Sequence, residues 1–137
     1  MNTPLVQDKL FVRVAGIYNA RDGFLENRSG GNLNGKETLA FRTAFKYIIG
    51  DNTTLDFIAN WQRDTPPGTS FKSGRFAPIG GDTNPNSFAD LERGEELGLD
   101  RDVWGLTAIL KHDISQYWDF TLISAYRNFD SDEAFDA

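Results

Sequence analysis

The sequence predicts an all-β chain, namely an antiparallel transmembrane β-barrel segment of about five strands in meander order, too few to close. Three observations predict it. Apolar and polar residues alternate with a period of two over long runs. Each run has about 10–12 residues, which suffices to cross a bilayer at a tilt and exceeds the usual soluble strand of about 5–6. Short and long connections alternate, as in membrane barrels.

The clearest alternation lies in Thr38–Gln62, which reads as two strands joined by a tight turn. One face carries the large apolar residues Leu39, Phe41, Phe45, Tyr47, Ile49, Leu55, Phe57 and Trp61. The other face carries Arg42, Lys46, Asp56, Asn60 and Gln62. Gly50-Asp51-Asn52 separates the runs with residues that tolerate a positive φ. The stretch therefore predicts a hairpin with one apolar and one polar face.

Three further strands and the segments between them complete the prediction. The strands are Lys9–Asn19, Asp102–His112 and Trp118–Phe129. Short turns are expected at Pro4–Asp8 and Asp113–Gln116, and long loops at 20–37 and 64–101. Ser87–Gly98 is expected to form a helical turn or two, with Ser87 as N-cap. The acidic stretch Ser131–Ala137 reads as the start of another loop.

Aromatic residues concentrate near the ends of the predicted strands. They make up 13% of the chain. The positions concerned are Tyr18, Tyr47, Trp61, Trp104, Trp118 and Tyr126. Aromatic side chains at both ends of strands are typical of the interfacial girdles of membrane barrels.

Composition bounds the class of protein. The 137 residues suit one domain. A formal charge of −6 argues against nucleic acid as a partner. The chain has no cysteine, which excludes disulfides and thiolate metal sites. No apolar run is long enough for a transmembrane helix, and the N-terminus lacks the pattern of a signal peptide.

No arrangement of residues predicts catalysis, a cofactor or a metal. His112 is the only histidine and lies on the Trp104 face, where an interfacial role is expected rather than metal ligation. Acidic residues at Asp100 and Asp102 and at the C-terminal end lack the loop spacing of a calcium site; the C-terminal group is Asp130, Asp132, Glu133 and Asp136. Neither a nucleophile elbow nor a phosphate loop is present. The chain is expected not to be an enzyme.

Three segments carry a resemblance to a known family. Lys9–Asn27 resembles an early barrel strand of TonB-dependent outer-membrane receptors, in which an inward arginine (here Arg13) leads into an Asp-Gly-aromatic loop (here Asp22-Gly23-Phe24). Phe41–Phe45 with the Gly-Asp-Asn turn is similar to the next two strands. Asp119–Asp130 is similar to a strand common in the iron-siderophore type. The resemblance extends over nearly the whole chain, in the order and spacing of its segments.

The resemblance implies a fold, a location and partners. Such receptors lie in the outer membrane of Gram-negative bacteria and have a plug domain inside a barrel of about 22 strands. Extracellular loops capture a scarce nutrient, with ferric siderophore the expected cargo, and a TonB complex supplies the energy. This chain offers no plug, so residues 1–137 are expected to be a partial barrel domain. Its expected partners are outer-membrane lipid, a plug domain and the remaining strands.

Two surfaces are candidates for function, although the residues that bind ligand stay unknown at this stage. Inward parity predicts a polar lumen lined by Arg13, Arg42, Lys46, Asp56, Asn60 and Arg127. The long loop carries aromatic and basic residues suited to an anionic or aromatic ligand: Phe71, Lys72, Arg75, Phe76, Phe88 and Arg93. The opposing interpretations are a solvated sheet face and a loop that packs its own aromatics.

Two other functions remain open. A soluble carbohydrate-binding β-sandwich would use exposed Trp61, Trp104 or Trp118 to stack on sugars. A passive porin-type barrel would share the strand pattern without a plug. The chain is expected not to fold stably alone, since an open membrane sheet leaves two rows of backbone groups unpaired in lipid.

Overall fold

The strands of the structure follow the predicted order. The computed structural model describes residues 2–72, 74–77 and 79–135. In chain order the strands are β1 (Asn2–Val6), β2 (Leu10–Arg21), β3 (Leu25–Glu26), β4 (Asn32–Leu33), β5 (Lys36–Ile49), β6 (Thr53–Asp64), β7 (Gly98–Ser115) and β8 (Trp118–Ala134). A 3-10 turn at Gly94–Glu96 precedes β7. No helix among the described residues has the length and apolarity needed to cross a membrane.

Six strands form the main sheet, in the order β1-β2-β5-β6-β7-β8. Strands β3 and β4 form a separate antiparallel ribbon within the first long loop. The all-β fold and the meander order are therefore confirmed. The sheet is open, with β1 and β8 at its two edges.

The first strand differs from the prediction, which placed a turn at Pro4–Asp8. Strand β1 includes Pro4 and pairs antiparallel with β2, with a register irregularity between Pro4 and Val6. The turn follows it, where Asp8 has a φ of 59° and Lys9 N donates to Val6 O. Proline is tolerated here because an edge strand leaves one side of its backbone unpaired. The sheet thus has six strands rather than about five.

The ends of the later strands also differ from the prediction. Strand β8 continues to Ala134, so the expected loop at Ser131–Ala137 is wrong over its described strand residues. Strand β7 begins at Gly98 and runs to Ser115, which shortens the predicted 113–116 turn. Polar side chains do not interrupt a ladder of backbone hydrogen bonds. The acidic residues near the end of β8 therefore stay in the strand, although their charge predicts a loop. The expected helical segment Ser87–Gly98 contains only the 3-10 turn.

The residues group into two compact units. The first, called the sheet unit, comprises Met1–Ile17, Ala40–Gln62 and Val103–Phe129. The second, called the loop unit, comprises Tyr18–Leu39, Arg63–Asp102 and Asp130–Ala137.

One face of the sheet unit carries exposed aromatic rings. Phe41 is 50% exposed and stacks on Trp61 on the next strand, with ring centroids 6.1 Å apart. The same ring lies against Gly16, where an added Cβ would meet it at 3.0 Å. Trp104 and Tyr126 form a second pair at 5.2 Å. Cross-strand aromatic pairs stabilise a sheet, and a ring over glycine covers bare backbone.

The opposite face of the sheet unit is less polar than predicted. Lys46 on β5 and Asp56 on β6 form an ion pair at 3.2 Å, because both side chains lie on the same face of the hairpin. Between charged residues, however, Phe11, Ile58 and Ile109 line an open cavity of about 490 Å³. The residues predicted to line a polar lumen therefore share this face with apolar side chains.

The loop unit has a small hydrophobic core of its own. Its buried members are Leu25, Leu33, Ala89 and Leu97, with Leu91 packed against them. Leu25 and Leu33 pair across the β3–β4 ribbon. Ala89 and Leu97 come from the second long loop, so the core joins the two loops.

Candidate functional site

The second long loop attaches to the first by backbone hydrogen bonds as well as by the core. Ala89 N donates to Glu26 O at 2.7 Å, and Arg28 N donates to Ala89 O at 2.9 Å. This short parallel bridge beside β3 is extended by the side chain of Asn27, which is 3% exposed. Its amide donates to Leu91 O at 3.2 Å and accepts from Leu91 N at 2.9 Å. The Asn27 side chain therefore makes the two hydrogen bonds to Leu91 that the backbone of a neighbouring strand would otherwise make.

A glycine permits the close contact at the other side of the core. Gly68 is buried, its N–H donates to Leu97 O, and its carbonyl accepts from Asn34 N, both at 2.9 Å. A Cβ on Gly68 would lie 2.6 Å from the Leu97 Cβ and 3.4 Å from a Leu33 methyl. The backbone can approach this closely only without a side chain.

Gly68→Ala tests this contact. We expect it to destabilise the loop unit by about 1–3 kcal/mol, the usual cost of overpacking a filled core. The measurement is amide hydrogen exchange at Leu97 and Asn34, which should accelerate. Gly74→Ala is the matched control, because a Cβ there meets nothing within 4 Å. Equal exchange rates in the two variants would contradict the close packing.

A buried carboxylate lies at the end of β6. Asp64 is 4% exposed and accepts hydrogen bonds from Thr38 Oγ1 at 2.7 Å and from Arg101 Nε and Nη2 at 3.0 and 2.7 Å. These donors come from the neighbouring strands β5 and β7. Buried charge is tolerated when it is paired and hydrogen-bonded. The network fixes the three strand ends within the loop unit.

A lysine occupies a ring of oxygen atoms in the second long loop. Lys72 Nζ lies 3.2 Å from Asp82 Oδ1, 3.0 Å from Asn84 O and 2.6 Å from Ser87 Oγ. The Ser87 hydroxyl and the Asn84 amide, both donating to Asp82, hold the pKa of that carboxyl below its usual value, with Lys72 adding to the effect. The carboxylate is thus ionised at neutral pH and forms an ion pair with Lys72.

Phe88 is also committed to internal contacts. The Arg28 guanidinium lies 3.4 Å from the centroid of its ring, and Lys72 Nζ lies 5.3 Å from the same centroid. Cation–π contacts of this kind hold two loops together. Of the predicted ligand-binding set, Lys72 and Phe88 therefore stabilise the loop unit. Phe71 and Phe76 are 58% and 79% exposed, and Arg75 and Arg93 are exposed too.

The predicted lumen residues belong to the sheet unit. Arg13, Arg42 and Arg127 are exposed. Asn60 lies against Gly105, where an added Cβ would meet its amide at 3.4 Å. His112 shares a hydrogen bond of 2.8 Å with Thr53 Oγ1. The structure brings only Lys46 and Asp56 of the lumen set together as an ion pair.

The acidic groups form no metal centre within the described residues. Asp100 pairs instead with Arg63, at 2.9 Å between Nη2 and Oδ2. Asp132 and Glu133 lie on β8, and Asp136 lies outside the described residues.

Two open cavities adjoin each other in the loop unit. One, of about 540 Å³, is lined by Phe71, Phe135, Arg21, Lys36, Glu37 and Glu133 among others. The second, of about 550 Å³, is lined by Glu95, Glu96, Asp100, Asp132 and Glu133 among others. They share the wall Pro66, Pro67, Gly98, Leu99, Glu133 and Ala134. Sequence reasoning missed these cavities, although the Pro66-Pro67-Gly68 segment beside a charged strand end was a usable signal.

Comparison with models of known protein families, with curated proteins and with solved structures finds no match.

Proposed function

We propose that the chain is a wall segment of an outer-membrane β-barrel of the TonB-dependent receptor kind, which imports a scarce nutrient such as a ferric siderophore. The lipid would contact the aromatic face of the sheet unit. In the intact protein the loop unit would face the outside and take part in capturing ligand, while a plug domain and further strands complete the barrel. This segment would contribute structure and binding rather than catalysis.

One observation carries the proposal: large apolar side chains on one face of the sheet unit are exposed. They include Phe41, Phe45, Tyr47, Phe57, Trp104 and Leu106, each at least 36% exposed. No second layer formed by the described residues covers them. Soluble proteins rarely expose apolar patches of this extent, which mark contact with lipid or with a partner.

The alternation itself provides the experiment. Because the chain lacks cysteine, single cysteines can be placed at Phe41, Arg42, Phe45 and Lys46 along β5 in the full-length protein. Spin labels at positions 41 and 45 should be accessible to oxygen dissolved in lipid, and those at 42 and 46 to a water-soluble nickel complex. A period of two across the set supports the lipid-facing wall. Equal access of the water-soluble reagent at all four positions would exclude it.

A carbohydrate-binding sandwich is the second candidate, favoured by one ring. Trp118 is 72% exposed at the start of β8, as a sugar-stacking platform requires. A sandwich is soluble and monomeric without detergent, and its Trp118→Ala variant loses sugar binding. Detergent dependence of the native state would exclude this candidate. A passive porin is distinguished by the sequence upstream, where a plug domain would favour active import.

A further inference from the structure

The first cavity, called here the Phe71 cleft, combines open aromatic rings with carboxylates. Phe71 and Phe135 are 58% and 64% exposed, and neither ring stacks on another aromatic side chain within the described residues. Pro66, Pro67 and Leu99 add apolar wall. Exposed aromatic faces attract cations through the ring quadrupole, most strongly where carboxylates stand beside them.

The basic side chains of the Phe71 cleft are largely engaged elsewhere. Arg101 is held by Asp64 at 2.7 Å. Arg21 donates to Asn34 O at 2.8 Å and lies over the Phe24 ring, 5.3 Å from its centroid. Like Arg21, Lys36 forms no ion pair within the described residues. The positive charge of Lys36 opposes cation binding, so a variant that removes this charge tests the site.

Carboxylates equal basic side chains in number at the Phe71 cleft and exceed them in the adjoining cavity. Glu37 and Glu133 line the cleft, are exposed, and form no ion pair within the described residues. The adjoining cavity adds Glu95, Glu96 and Asp132, and no basic side chain of the described residues lines it. The loop unit as a whole contains 15 Asp and Glu against 8 Lys and Arg, a formal charge of −7. Such a field concentrates cations at the cleft and repels anions.

From these observations we infer that the Phe71 cleft binds a small organic cation, an ammonium compound with an apolar body. A metal ion fits less well, because the described residues hold no cluster of three or more metal-binding side chains. An ammonium ligand would place its charge beside Glu133, on the wall shared with the acidic cavity, and its body against Phe71 and Phe135. The inference concerns the loop unit alone and does not rest on the proposed membrane role.

Titration calorimetry of the intact protein in non-ionic detergent tests it, with benzyltrimethylammonium as the probe. We expect this cation to bind at least about tenfold more tightly than its neutral isostere, in which carbon replaces nitrogen. Benzenesulfonate should not bind. Comparable binding of the sulfonate or of the isostere would overturn the inference.

Four variants locate the site. Phe71→Leu and Glu133→Gln should each weaken the binding of the ammonium probe about threefold to tenfold. Lys36→Gln should tighten it, because a repelling charge is removed. Phe76→Leu is the matched control, since that ring does not line the cleft. Circular dichroism verifies that each variant keeps its strands. Weakening by Phe76→Leu equal to that by Phe71→Leu, or weaker binding in Lys36→Gln, would place the ligand elsewhere.

Discussion

Phe45→Lys is expected to destabilise the membrane-inserted protein by about 2–4 kcal/mol, whereas Arg42→Lys changes its stability by less than about 0.5 kcal/mol. Both variants have a lysine on β5, on opposite faces; Phe45→Lys introduces a charge, and Arg42→Lys keeps one. Phe45 belongs to the exposed apolar face, where the proposal places lipid, and Arg42 to the opposite face. If the apolar face contacts lipid as proposed, a charge there has no water to solvate it, while the opposite face already carries Lys46 and Arg13.

The measurement is the free energy of unfolding by denaturant in lipid vesicles, obtained for the full-length protein with each substitution. The expected difference between the two variants is several times the error of such an extrapolation. If Phe45→Lys leaves the unfolding free energy unchanged, the aromatic face does not contact lipid. A large loss in Arg42→Lys would instead indicate that this arginine has specific partners on the lumen side.

The strands were predictable because their signal is local. A period of two in Thr38–Gln62 requires no knowledge of the rest of the chain, and Gly50 at a φ of 64° forms the turn that its sequence indicates. Strand β1 was missed because Pro4 and Asp8 together indicate a turn. The sequence alone does not show that β1 lies at the edge of the sheet, where proline is tolerated. The extension of β8 through Asp130 and Asp132 was missed because a run of charged residues is typical of loops.

The loop unit was not predictable in the same way. Its core joins Leu25 and Leu33 to Ala89 and Leu97, which are separated in sequence by strands β5 and β6 and a long irregular loop, and the core residues show no periodicity. Only the fold shows that Lys72 and Phe88 are used in internal contacts. Both residues were predicted to bind ligand from the composition of the loop. An aromatic residue near a basic one has the same sequence pattern in a loop that binds ligand and in a loop that packs on itself.

The segregation of charge bears on the ligand of the proposed receptor. The sheet unit has 6 Lys and Arg against 5 Asp and Glu, so the acidity of the chain belongs to the loop unit. An anionic ferric chelate would approach this segment against its field. The cleft and the charge together favour a cationic or neutral ligand at these loops, whatever the remaining loops of a complete barrel contribute.

Asn27→Leu is expected to have the largest effect on the loop unit. The substitution leaves the Leu91 N–H without its acceptor beside the hydrophobic core and removes one of two donors to the Leu91 carbonyl, which Gly94 N also reaches at 3.3 Å. The unsatisfied N–H costs about 1–3 kcal/mol and the lost bond to the carbonyl about 0.5–1.5 kcal/mol, so a loss of about 1.5–4.5 kcal/mol follows. The bridge between the two long loops should then open, with faster hydrogen exchange at Ala89 and Leu91.

Asn27→Asp separates the two hydrogen bonds. It keeps the acceptor for Leu91 N but removes the donor to Leu91 O and introduces a charge at a position that is 3% exposed. Because burial disfavours the ionised form, this variant should be more stable at acidic pH, where a protonated carboxyl restores the donor. Asn86→Leu provides the control at an exposed position of the same unit. Wild-type exchange rates in Asn27→Leu would mean that the two loops are held together by the core alone, and that the Asn27 bridge adds nothing to it.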